Sequence, residues 1–105
     1  MWELNDCGVK DKIASYARSP EVVAWSRSAE RDIGSTAGAT KFGVLEAVLD
    51  HLSCGYVVYA DHMTNGDEAF IVRCFLGRNR FYVKVKFIVL GSQERMYVFS
   101  AHRDR

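Results

Sequence analysis

Apolar positions in the first half of the chain recur with helical spacing. Val9, Ile13, Tyr16 and Ala17 fall at i, i+4, i+7 and i+8, one stripe of an amphipathic helix. Ser19-Pro20 ends that helix and is expected to start a second. Ser19 would be its N-cap, Pro20 its first helical residue and Glu21 a carboxylate suited to the dipole. Val22, Val23 and Trp25 would give this helix its apolar side and Gly34 its stop. Residues 34–40 (GSTAGAT) have no period and read as a connector. A third helix carries Phe42, Leu45, Val48, Leu49 and Leu52 on one stripe, with His51 on its polar side, and ends near Gly55.

After Gly55 the period changes to two. Tyr56–Ala60 reads as a short strand, and 61–67 as a polar loop containing the turn dipeptide Asn65-Gly66. Phe70–Leu76, Phe81–Leu90 and Met96–Ala101 read as strands joined by tight turns at Gly77 and Gly91. The expected architecture is a single α+β domain over 1–105, helical over 1–53. An antiparallel, curved sheet over 56–102 has one face covered by the helices.

The strand Arg80–Phe87 decides what the uncovered face looks like. Phe81, Val83, Val85 and Phe87 alternate with Tyr82, Lys84 and Lys86, so the second set points away from the helices. With Tyr97, Phe99 and Ala101 assigned to the core, Val98, Ser100 and His102 of the last strand turn to the open face beside Tyr82 and Lys84. Arg73 of the preceding strand is expected to join them, with Arg103 and Arg105 at the rim. An ordinary solvated strand face, where lysine also guards against edge pairing, is the plain alternative.

Charge sharpens the picture. From Arg73 onward eight basic residues stand against two acidic ones, about +6, whereas six against eleven before it give about −5. The net +1 of the 105 residues therefore hides a dipolar protein with a basic C-terminal third. Such a segment favours a polyanion or an acidic protein partner. The cations sit on strands rather than on an amphipathic helix, which disfavours a membrane. No apolar run approaches the ~20 residues of a span, and the N-terminus lacks a signal-peptide pattern. Cys7, Cys54 and Cys74 are odd in number and widely spaced, which fits buried, reduced thiols in a cytoplasmic protein.

Tyr82, His102 and Lys84 together supply what metal-independent cleavage of RNA needs. An imidazole with reference pKa ~6.5 moves protons near neutrality. Lysine and arginine stabilise a phosphorane, and a tyrosine donates a hydrogen bond or acts as base if cations depress its pKa. Arg73, Arg78, Lys86, Ser100 and Arg103 are expected to bind the substrate, and His62 is a second proton carrier if its loop reaches the sheet. No ligand spacing for a metal and no phosphate-binding glycine loop is present, so no cofactor is expected.

The order of features in Gly43–Leu49, Tyr56–Met63, Tyr82-Val83-Lys84 and Val98–His102 resembles the MqsR family of toxin ribonucleases, which have a RelE-like fold. The resemblance covers roughly residues 41–105. It implies an endoribonuclease that cuts single-stranded mRNA and is neutralised by a cognate antitoxin. It also implies that Tyr82 is the catalytic tyrosine and that His102 stands where the family has a C-terminal lysine. The chain departs from the family at Ala60-Asp61-His62, where a lysine is expected, and Met1–Ile33 has no clear counterpart. The competing reading is a non-catalytic module whose basic sheet face docks nucleic acid or an acidic protein.

Overall fold

The computed structural model describes residues 1–104. In chain order the elements are β1 (Trp2–Glu3), α1 (Cys7–Ala17), a 3-10 turn (Pro20–Val22), β2 (Val23–Trp25), α2 (Arg27–Gly34), α3 (Lys41–Ser53), β3 (Tyr59–His62), β4 (Glu68–Leu76), β5 (Asn79–Leu90) and β6 (Gln93–Arg103). The six strands form one mixed sheet in the order β1-β3-β4-β5-β6-β2. The fold is therefore α+β, but the sheet is not wholly antiparallel, because β2 runs parallel to β6.

Two helices begin and end where local chemistry places them. The Asp6 side chain accepts from the amides of Gly8 and Val9 and so caps α1. Thr40 Oγ1 accepts from the Gly43 amide at 2.9 Å to start α3. Gly55, at φ 73°, ends it in a left-handed turn that favours glycine. On α3 the fully buried positions are Val44, Leu45, Ala47 and Val48, with Leu49 and Leu52 packed behind them. Phe42, expected on the buried stripe, is instead 62% exposed.

The expected second helix is the largest departure. Pro20–Val22 is a single 3-10 turn, Val23–Trp25 is strand β2, and α2 starts only at Arg27 behind a new cap, Ser26. Val22-Val23-Ala24-Trp25 is a β-branched and aromatic run, and it gains a ladder by pairing Val23, Ala24 and Trp25 with Met96, Tyr97 and Val98. At the other edge, β1 pairs Trp2 with Ala60 and Glu3 with Tyr59, a strand too short for periodicity to reveal.

Between the helices and the sheet lies the core. It contains Ile13, Ala17, Ala29, Ile33, Val44 and Val48 from the helices, and Phe70, Val72, Phe81, Val83, Val85, Met96, Val98 and Ala101 from the strands. Ala101 lies in the core as expected, but Val98 does too, which corrects the expected facing of β6. Lys84 pairs with Ser100 but Val85 pairs with Val98, so Phe99 is an extra residue in a β-bulge. The bulge shifts the alternation by one, which buries Val98 and Ala101 together and turns Tyr97 and Phe99 to the open face. Cysteine burial is also corrected: Cys74 is buried, whereas Cys7 and Cys54 are exposed.

Candidate functional site

The register brings the predicted groups together on the side away from the helices. Arg73, Tyr82 and His102 occupy one lateral row, since Arg73 pairs with Tyr82 and Tyr82 with His102. The Tyr82 and His102 rings stack, with centroids 5.1 Å apart and planes 17° from parallel. The Arg73 guanidinium carbon lies 5.9 Å from the centre of the Tyr82 ring. In the adjacent row Lys84 pairs with Ile71 on one side and Ser100 on the other. One step further, Lys86 pairs with Tyr97.

His102 is exposed, and its Nδ1 lies 3.0 Å from the Arg103 carbonyl oxygen. A carbonyl only accepts, so this contact puts the proton of the neutral imidazole on Nδ1 and leaves the Nε2 lone pair open to solvent. Tyr82 is half-buried. Burial raises its pKa above the ordinary 10.0; the Arg73 charge works against this, and Asp61 and Asp104 add to it. At neutral pH the phenol therefore keeps its proton. The cations do not make it a base, and it is suited to donate.

Each cation that approaches the row has a carboxylate beside it. Lys84 Nζ is 3.9 Å from Asp61 and Lys86 Nζ is 3.5 Å from Asp67, while Arg73 and Arg80 share Asp104. The open face is thus far less cationic than the charge count of the last third suggests. Acids from the first two-thirds, Asp61 and Asp67, fold over it. The lysine heads also lie low on the sheet, with only 19% of the Lys84 side chain and 17% of that of Lys86 exposed. The Lys84 ammonium sits 5.5 Å from the centre of the Phe99 ring.

The remaining expected residues divide. Ser100 lies on the open face beside Lys84. Arg78 is exposed in the β4–β5 turn, at the end of the sheet. Arg103 pairs with core residue Phe81 and so leaves the open face by alternation; with His102 and Asp104 it lines an open cleft of about 940 Å³ whose far wall is Asp32, Ser35 and Thr36 of the α2 end. Arg105 lies outside the described residues. His62 is not brought to the site. It shares the facing of the buried Ala60, on the helix side of β3, and its ring rests 4.8 Å from that of Trp2. His51 Nε2 contacts the Val57 carbonyl oxygen at 2.7 Å, far from the row in sequence and on the helical layer.

Aromatic side chains are what the pattern of the sequence hid. Tyr97 and Phe99, freed from the core by the bulge, stack with centroids 6.3 Å apart, and both are half-exposed. Ser26 holds this arrangement: its hydroxyl donates to the Phe99 carbonyl at 3.0 Å and accepts from the Ala29 amide at 3.0 Å, so one side chain pins the bulge and caps α2. Its spacing ahead of Arg27–Gly34 was a readable cap signal.

Among the described residues no group of three or more His, Cys, Asp or Glu side chains is arranged to hold a metal ion, and no helix is long and apolar enough to cross a membrane. No family model, curated protein or solved structure matches the chain.

Proposed function

We propose that the open sheet face binds single-stranded RNA and that Tyr82 and His102 cleave it without a metal, in the manner of a toxin endoribonuclease. The observation that carries this reading is the stacked Tyr82–His102 pair, with the Arg73 guanidinium on its far side. His102 Nε2 takes the proton of the 2′-hydroxyl, whose oxygen attacks phosphorus. The Tyr82 phenol, kept protonated by its surroundings, gives a proton to the departing 5′-oxygen. Arg73 and Lys84 stabilise the charge that builds on the phosphorane. The products are a 2′,3′-cyclic phosphate and a 5′-hydroxyl. By the same reading the chain is an MqsR-like toxin with a variant of the RelE-like layout, held in check in the cytoplasm by an antitoxin. The spacing Tyr82-x-Lys84 and the Ser100-to-His102 ending support this.

A second reading is favoured by different residues. Tyr97, Phe99 and Tyr82 give the face several rings on which bases can stack, and stacking without cleavage describes a single-strand binding module. Incubation of the purified protein with single-stranded RNA in EDTA, followed by end-group analysis, separates the two. The cleavage reading expects cyclic phosphate ends, and loss of about 10²–10⁴ in rate for Tyr82→Phe and His102→Ala, the range of general acid–base catalysis. Full activity in both variants rejects the assignment of roles. Binding with no turnover under any condition leaves the module.

A further inference from the structure

We propose that Arg73 and Arg80 form a phosphate-binding cradle beside the Tyr82–His102 pair, and that Asp104 occupies this cradle as an internal competitor. The inference rests on reading the open face as an RNA-binding surface, and it assigns a site and a restraint to residues outside the proton-transfer pair.

Three features of the cradle point this way. Asp104 Oδ2 lies 3.6 Å from Arg73 Nε and 3.5 Å from Arg80 Nε, so one carboxylate oxygen is divided between two guanidinium groups. Arg73 Nε is buried and has no hydrogen-bond acceptor among the described residues, because 3.6 Å is too long for a bond. Two cations facing one anion also leave an excess of positive charge. A guanidinium presents paired N–H donors that match two oxygens of an anion, and one shared carboxylate oxygen cannot satisfy two such forks. A tetrahedral phosphate, with its additional oxygens, can accept from both.

The position suits a nucleic-acid strand. The Asp104 amide donates to the Arg80 carbonyl at 2.7 Å, which continues the β5–β6 ladder one pair beyond Phe81 and Arg103. That register turns the Asp104 carboxylate to the same face as Tyr82 and His102, about 7 Å along the strand at the usual rise per residue. A phosphate held there would be a neighbour of the one at His102. Asp104 follows the last residue of β6 and borders the open cleft, so its side chain can leave the cradle without breaking the sheet.

The test measures binding apart from cleavage. A labelled 2′-O-methyl oligonucleotide, which lacks the attacking hydroxyl, is titrated into the parent chain and Asp104→Asn, with Asp104→Ser as a second variant and thermal melting to verify folding. Inorganic phosphate is titrated in parallel. Losing two surface ion pairs that compete with the ligand should tighten oligonucleotide and phosphate binding by roughly threefold to thirtyfold. Adding Arg73→Gln and Arg80→Gln should erase that gain. Folded Asp104 variants with unchanged or weaker phosphate binding overturn the proposal, as does a gain that survives loss of both arginines. If phosphate binding tightens and the oligonucleotide does not bind, the cradle stands and the RNA reading of the face falls.

Discussion

Replacing Phe99 by alanine separates a stacking surface from an ordinary strand face. Phe99 is the extra residue of the β6 bulge, lies on the open face and is absent from the hydrophobic core. Base–aromatic stacking contributes ~1–3 kcal/mol per base by alanine substitution. Phe99 is only half-exposed, and the Lys84 ammonium already covers part of its ring at 5.5 Å. The lower part of that range therefore applies, about 1–1.5 kcal/mol, which is about fivefold to tenfold in Kd. Fluorescence anisotropy with an uncleavable single-stranded oligonucleotide, repeated over a salt series, reads both affinity and charge. Log K falls with log salt by ~0.7 per phosphate neutralised on single strands. Phe99→Ala should weaken binding and leave that slope alone, while Lys84→Gln should reduce the slope by ~0.7. Parent-like affinity in Phe99→Ala, or a weakening that appears only as a changed slope, refutes stacking on this ring.

Other consequences follow from single contacts. Ser26→Ala removes both the cap of α2 and the anchor of the bulge, and should cost about 1–2 kcal/mol in urea unfolding and weaken oligonucleotide binding as well; a change in stability alone would mean that the bulge holds without Ser26. Cys7 and Cys54 should react with an alkylating reagent in the folded protein. Cys74, whose thiol burial pushes up to about 11, should react only after denaturation, as counted by mass spectrometry. Glu94 accepts from Lys12 at 2.7 Å and from Tyr16 at 2.7 Å, and these bonds hold its carboxyl below the usual value. A lowered folded pKa stabilises the protein above the unfolded value and ceases to do so as pH falls through the folded one. The urea midpoints of the parent chain and Glu94→Gln should therefore differ at neutral pH and converge in strong acid.

The sequence was most legible where one period ran long enough to be unambiguous. Helices α1 and α3, the alternation of β5 and the facing of Tyr82 and Lys84 all follow from side-chain spacing and cap chemistry. His102 came out on the open face although the facing of Tyr97 and Phe99 was wrong. The alternation extrapolated from Ala101 is right on its own side of the bulge and wrong beyond it. A bulge inserts a residue without any compositional mark here, so strict alternation could not reveal it. Val23–Trp25 was hidden for another reason. Three residues carry no period, and the parallel partner that makes them a strand lies more than seventy residues away. Charge misled most, because a count along the chain cannot show that Asp61 and Asp67 come to rest beside Lys84 and Lys86. The raised pKa of Tyr82 likewise depends on burial and on Asp61 and Asp104, which no local motif displays.

Where RNA meets the protein is read most directly by backbone and ring chemical shifts during titration with an uncleavable single-stranded 2′-O-methyl RNA. The account predicts that the largest changes fall on Arg73, Tyr82, Lys84, Phe99 and His102, with α1 and α3 undisturbed. Shifts confined to the helical layer, or none at all at low salt, would contradict it.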